Sequence, residues 1–196
     1  MSKSTQIIGA RLKRDDARGK TTGETKFLTD IKVDNMLHAA PVFSQVAYGK
    51  LLGIDTRVAE NDPDYIAFFS AKDIPGENQV GVILEDQPLM AADVVRYVGD
   101  SVGILIAETA EAAQRLARLV SVNIDPFDPV FSIDESRNAK VNLLHETNLA
   151  CQHQVKRGDP DKAFAEADHV IEARFETPFQ EHYYLEPQAC IAQCSP

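Results

Sequence analysis

Apolar and polar residues follow their most regular pattern in the middle of the chain, and there they predict a strand, a helix and a second strand. Residues 102–107 form a continuous apolar run, which is typical of a buried strand. Thr109 is a candidate helix N-cap, and apolar residues follow it at helical spacing. Residues 120–125 then alternate as in a strand with one side in water. No Gly-x-Gly pair precedes the helix, which argues against a dinucleotide site at its N-terminus.

Shorter elements are predicted on both sides of this unit. Apolar runs predict three strands before it, at residues 36–42, 51–54 and 65–69. After it, Asp159-Pro160 is a capped start for a short helix that ends near Ala167. Residues 170–177 alternate strictly and predict a half-buried strand. The chain is therefore predicted to be α+β, rich in strands, with short helices and no internal repeat.

A long connection is predicted at residues 127–154. Pro126 and Pro129 make its start stiff, and neither the helical nor the strand period persists through it. Five apolar residues are expected to pin the connection and keep it ordered: Val130, Phe131, Ile133, Leu143 and Leu144. It would join two separate folding units.

Composition excludes several classes of protein. The 196 residues include 30 acidic and 20 basic ones, a formal net charge of −10, which argues against a nucleic-acid-binding surface. The longest uncharged stretch, residues 35–49, is interrupted by polar residues and does not predict a membrane span. The first residues lack the apolar core of a signal peptide, so a cytoplasmic location is expected. The cysteines, at positions 151, 190 and 194, form neither an even disulfide framework nor a four-ligand zinc site.

The densest cluster of polar and aromatic side chains lies near the C-terminus. Two functions fit it. His182 could be a general base that Glu181 or Glu186 orients. The alternative, which we favour, is a hydrogen-bonded network that closes one domain against the next, formed by Gln180, His182, Tyr184 and Glu186. No catalytic, cofactor-binding or metal-binding residue is assigned, because the other histidines are scattered without metal-ligand spacing.

A series of short motifs resembles one protein family. In order, the motifs are Thr22-Gly23-Glu24, Met36-Leu37-His38-Ala39, Ala71-Lys72-Asp73-Ile74-Pro75-Gly76-Glu77-Asn78, Val95-Arg96-Tyr97-Val98-Gly99-Asp100, Arg157-Gly158-Asp159 and Gln180-Glu181-His182-Tyr183-Tyr184-Leu185-Glu186. Each is short. Their order and spacing resemble the molybdenum-cofactor subunit of the xanthine dehydrogenase and aldehyde oxidase family, from about residue 9 onward.

The resemblance implies a domain organisation. Residues 1–19 would be an N-terminal arm, and residues 20–126 would be the family's α/β hammerhead domain, a mixed sheet with short helices. Residues 127–154 would be the ordered connection. Residues 155–196 would be the truncated start of the molybdopterin-binding domain, with its first strand and helix elements.

The resemblance also implies a chemistry. In this family a molybdenum held by molybdopterin hydroxylates purines such as xanthine and hypoxanthine, related N-heterocycles or aldehydes, and water supplies the oxygen. Iron–sulfur clusters and FAD on partner domains or subunits take the electrons. The family's cofactor loop and catalytic glutamate have no counterpart in this sequence, so we expect an inactive N-terminal fragment of such an enzyme that binds none of these cofactors itself. The alternative is a free-standing hammerhead-type interaction or adaptor domain without catalysis.

Overall fold

The structure is a computed structural model of the chain. It describes residues 8, 9, 11–82, 84–138, 148, 149, 151–184, 186 and 188–193. Within these residues the strands are β1 (His38–Phe43), β2 (Gly49–Asp55), β3 (Tyr65–Ser70), β4 (Val94–Val95), β5 (Ser101–Ala107) and β6 (Ser121–Pro126). The helices are α1 (Ala17–Thr22), α2 (Arg57–Glu60), α3 (Ala110–Ala117), α4 (Ile133–Asn138) and α5 (Pro160–Glu166).

The chain divides into two compact units. One comprises Met1–Asp34 and Phe164–Pro196, and the other comprises Asn35–Ala163. All of the described strands lie in the second unit, in two antiparallel sheets. The fold is therefore mixed α and β with short helices, as the sequence predicts, and the finer domain boundaries stay predictions.

The first sheet has the strand order β1-β5-β3, with β5 in the centre. Its continuous apolar run was predicted to be buried, and this is confirmed, because Val102, Leu105 and Ala107 are all fully buried. Gly103 is required at the centre of this strand. A Cβ there would meet the Phe68 ring and would lie only 2.7 Å from the carbonyl oxygen of Phe69. The glycine therefore lets β3 and its aromatic side chains pack tightly against β5.

Helix α3 covers this sheet, and its start was predicted correctly. The Thr109 side chain accepts a hydrogen bond from the Ala112 N–H at 3.1 Å, which satisfies one of the helix's free donors. The side chains of Ala112, Ala113 and Leu116 are buried toward the sheet.

The second sheet has the order β4-β2-β6. Here the structure adds something that the local pattern does not reveal: β5 and β6 lie in different sheets, although only α3 separates them. Strand β6 pairs antiparallel with β2 from Gly49 to Asp55, with a bulge between Leu51 and Gly53. A parallel β5–β6 pair of the nucleotide-binding type is therefore absent among the described strands, in agreement with the sequence argument against a dinucleotide site.

Strand β4 was not predicted. It has two residues, Val94 and Val95, which pair with Lys50 and Gly49 of β2. Two residues are too few to show a period, so the sequence carried no strand signal there. The completely buried Val95 nevertheless belongs to the core.

The long connection differs from the prediction in two ways. It contains helix α4, and Phe131 and Ile133 are 76% and 79% exposed, so the expectation that they pin the connection by packing is wrong. Polar contacts hold this turn instead. The Glu135 N–H donates to Ser132 Oγ at 3.1 Å, and the Ser132 N–H donates to Glu135 Oε2 at 3.1 Å. The expected packing of Leu143 and Leu144 falls outside the described residues.

The predicted helix after Asp159 is confirmed as α5. The predicted strand at residues 170–177 is wrong for this structure, because the segment has neither strand nor helix and is exposed throughout. A strand needs a neighbour to satisfy its backbone N–H and C=O groups. None of the described strands pairs with this segment.

Candidate functional site

The C-terminal polar cluster is exposed to solvent. Gln180, His182, Tyr184 and Glu186 are all exposed. The rings of His182 and Tyr184 lie near each other, with centroids 6.0 Å apart and planes inclined by 58°. The backbone N–H of His182 donates to Glu181 Oε1 at 2.9 Å. The structure thus brings two members of the proposed network together, and the network as a whole remains a prediction.

Large apolar side chains are exposed along the same C-terminal stretch. Ile171 is 93% exposed, Phe175 90%, and Phe179 and Tyr183 are as exposed as in an extended peptide. Soluble proteins seldom leave several such side chains uncovered in one place, unless the surface serves an interaction. The segment therefore has the character of a docking element and not of a finished catalytic pocket.

The motif at residues 95–100 builds a rigid turn. Asp100 is only 6% exposed, and its Oδ2 accepts a hydrogen bond from the Arg96 N–H at 2.9 Å. The fully buried Ser44 joins this turn from the next loop, since its N–H donates to the Asp100 carbonyl and its own carbonyl accepts from the Gly99 N–H, both at 2.8 Å. Gly99 has φ +96°, a left-handed conformation that suits glycine. The buried carboxylate is thereby a scaffold group of the loop.

The motif that ends at Asn78 also has a structural task. The Asn78 side chain donates to the Met90 carbonyl at 2.7 Å and accepts from the Met90 N–H at 2.9 Å. It pairs with the buried Met90 in the way that a neighbouring strand would. Earlier in the same motif, Asp73 Oδ2 accepts from the Ser70 N–H at 2.7 Å, which closes a single turn of 3₁₀ helix over Ala71–Asp73.

The carboxyl groups with shifted pKa values lie in caps and surface ion pairs. The Arg115 guanidinium donates to Asp62 and Asp64 and holds the pKa of the Asp62 carboxyl below its usual range, with help from the Asp64 N–H. A side-chain hydrogen bond from Arg57 lowers the pKa of Asp55 to about 2. Backbone N–H groups, first that of Phe131, lower the pKa of Glu135. Catalytic sites shift pKa values inside clefts, whereas these shifts accompany local folding.

Two grooves mark the strand-bearing unit. The larger, of about 620 Å³, runs between β1, α3 and β6 and is lined mainly by apolar side chains, with Arg118 and two glutamines among them. The second, of about 530 Å³, is acidic and includes Glu77, Glu85 and Asp93. Among the described residues no group of three or more His, Cys, Asp or Glu side chains is placed to hold a metal ion. No described helix is long and apolar enough to cross a membrane.

Comparison with known proteins connects these observations. The family model described as "Aldehyde oxidase and xanthine dehydrogenase, a/b hammerhead domain" matches residues 22–127, and the "Molybdopterin cofactor-binding domain" matches residues 144–196. Xanthine dehydrogenase 1 of Arabidopsis thaliana is 37% identical over 178 residues, covering 89% of this chain and 13% of that protein. A probable xanthine dehydrogenase of Bacillus subtilis (strain 168) is 33% identical over 180 residues, covering 91% of this chain and 24% of that protein.

A solved structure agrees with the sequence relatives. The aldehyde oxidoreductase of Desulfovibrio gigas superimposes with a TM-score of 0.73 at 25% identity, covering 79% of this chain and 19% of that one. The fold and the loop-building motifs thus define a domain of the molybdenum hydroxylase class. The chain belongs to the aldehyde oxidase and xanthine dehydrogenase family. It spans only about an eighth to a quarter of the length of these curated relatives.

The described residues do not by themselves fit a molybdopterin. Within the range that matches the cofactor-binding domain, every described residue from 151 to 193 is exposed. A bound cofactor needs a concave site with converging polar groups, and this stretch offers separate exposed side chains. No chemical step is therefore assigned to Gln180, His182, Tyr184 or Glu186.

Proposed function

We propose that this chain forms the N-terminal part of the molybdenum-cofactor subunit of a xanthine dehydrogenase-like hydroxylase. The order of the two matched domains carries the proposal, since a hammerhead domain is followed directly by the start of a molybdopterin-binding domain. In this role residues 20–126 are a scaffold domain, residues 127–154 a connection, and residues 155–196 the beginning of the cofactor-binding domain.

The roles of the motif residues support a scaffold function. Asn78, Asp100 and Gly99 build loops and turns within the strand-bearing unit. Residues 170–193 carry exposed apolar side chains that further parts of a complete subunit would cover. In that subunit, Gln180, His182, Tyr184 and Glu186 would form a polar network between domains.

The complete enzyme would oxidise a purine, a related N-heterocycle or an aldehyde, with water as the source of oxygen. Molybdenum–molybdopterin would supply this chemistry, and partner domains or subunits with iron–sulfur clusters and FAD would receive the electrons. Such an enzyme is expected in the cytoplasm. This chain alone would be inactive, because its cofactor-matching stretch is exposed and lacks a cavity.

The first test concerns the gene. Coding sequence that continues past Pro196 into a complete molybdopterin-binding domain would support the proposal. A stop codon directly after Pro196 would contradict it and favour a free-standing interaction domain.

The second test uses the purified chain. It is produced in a host that makes molybdopterin, molybdenum is measured by mass spectrometry, and hypoxanthine-dependent dye reduction is followed. We expect neither metal nor turnover from the 196-residue chain, and both from the same chain extended by its full coding sequence and supplied with its partner subunits. Stoichiometric molybdenum in the short chain would refute its proposed inactivity.

A further inference from the structure

Residues 170–177 combine exposure with a regular side-chain pattern. Ile171, Ala173 and Phe175 lie on one side of an extended backbone, and Glu172, Arg174 and Glu176 lie on the other. Ile171 and Phe175 are 93% and 90% exposed, and none of the described strands pairs with the segment. An extended, uncovered and amphipathic segment is a template for another strand.

We propose that residues 169–177 of two copies of this chain pair as antiparallel strands, in the register that places Ala173 opposite the partner's Ala173. The inference concerns the 196-residue chain and does not depend on the enzymatic role proposed above. It is carried by the self-complementarity of the segment, which holds for this register and fails for its neighbours.

The charged side of the segment favours this register. Glu172 lies opposite the partner's Arg174, and the symmetry of the pair repeats this contact, so two pairs of opposite charges form. On the other side Ile171 lies opposite the partner's Phe175, again twice. Opposite charges and aromatic–aliphatic pairs directly across an antiparallel ladder are both stabilising. One register thus satisfies both faces of the strand.

Neighbouring registers lose these contacts. Centring the pair on Glu172 or on Arg174 places that residue against its own copy, so like charges meet. Centring it on Phe175 pairs Arg174 with the partner's Glu176, but it draws Pro178 into the ladder. Proline has no N–H to donate, and it is disfavoured inside a paired strand. In the proposed register the ladder ends at Thr177, before the proline.

The association is expected to depend on concentration. Two strands without further layers are marginally stable in water, and the net charge of −10 on each chain opposes the encounter. The measurement is therefore sedimentation equilibrium over a wide concentration series at physiological ionic strength. We expect a reversible monomer–dimer equilibrium for the parent chain, and a strictly monomeric parent would overturn the proposal.

Charge reversal tests the register. Glu172→Arg and Arg174→Glu each replace two attractive pairs by two repulsive ones, and each should weaken dimerisation at least about tenfold. An equimolar mixture of the two variants should associate again, because the mixed pair restores opposite charges at both places. Glu176→Arg is the matched control, since residue 176 faces the partner's Val170, and it should stay within about twofold of the parent.

Each other outcome refutes the assignment. If Glu176→Arg weakens the dimer while Glu172→Arg does not, the pairing is centred on Phe175. If both have the same effect, or if the mixture does not recover association, the charge pairs do not set the register.

A cross-link provides an independent measurement. Residues directly opposite one another have Cα atoms about 4.5–5.5 Å apart, within the range of about 4.4–6.8 Å that a disulfide spans. In a chain whose three native cysteines are replaced by serine, Ala173→Cys should form a disulfide-linked dimer on mild oxidation. Ile171→Cys is the control, because the two copies of residue 171 would be too far apart. Equal cross-linking of both variants would overturn the proposed register.

Discussion

Gly103 allows a sharp test of how the first sheet is packed. In Gly103→Ala the new methyl group would lie 2.2 Å from Cζ of the Phe68 ring and 2.7 Å from the carbonyl oxygen of Phe69. The ring can turn aside, but the carbonyl belongs to strand β3, which pairs with β5 at this level. Overpacking of a well-packed site costs about 1–3 kcal/mol. We expect a loss of that size in the free energy of unfolding.

Gly53 provides the matched control. It also lies in a strand, yet nothing lies within 4 Å of the position that its Cβ would take. Gly53→Ala should be neutral or slightly stabilising, because alanine restricts the unfolded chain. Urea unfolding followed by far-UV circular dichroism suits both variants, since the chain has no tryptophan. The reasoning fails if the Gly103 variant lies within about 0.5 kcal/mol of the parent, or if the Gly53 variant loses as much.

Three other perturbations test separate parts of the structure. Asn78→Ala removes both hydrogen bonds to the buried Met90 backbone, and it should lower the unfolding free energy by about 1–3 kcal/mol in the same urea assay; an unchanged midpoint would mean that water replaces the side chain. The folded pKa of Asp62 is lowered by Arg115, so this pair stabilises the fold above the unfolded carboxyl pKa, and the contribution is lost as pH falls through the folded pKa. Arg115→Leu should therefore flatten the acid side of the stability–pH curve, and an identical acid slope would argue against the pair. Limited proteolysis should cut first within residues 127–154, whereas first cuts inside the preceding domain would contradict the proposed boundary.

Local signals were sufficient where one residue type has one structural task. The predicted N-cap at Thr109 is confirmed, and the buried run of β5 required only the recognition of continuous apolar residues. The turn around Ser132 and Glu135 carries the capping-box spacing of helix starts. No apolar period follows it to predict a helix, and the apolar Phe131 and Ile133 suggest a packing role that their exposure contradicts.

Long-range pairing could not be predicted in the same way. The separation of β5 and β6 into two sheets depends on β2, which offers its edge to β6 from far along the chain. The two-residue strand β4 exists only because β2 lies beside it. The alternation at residues 170–177 is real, but alternation specifies a strand only when a neighbour is present. The candidate site was likewise located by its residue types, and its proposed network depends on groups beyond local sequence.

The placement of the central strands has a consequence for the birth of this protein on the ribosome. Both sheets join early strands to late ones, and even the nearest registered partners of the first sheet, Ser70 and Gly103, are more than thirty residues apart. Strand β1 must wait for β5, and β2 for β6. At a synthesis rate of about 5–20 residues per second, β1 spends roughly 3–13 s without its partner. The early strands therefore emerge as uncovered apolar segments, and the nascent chain is a natural client for chaperones until β6 has been made.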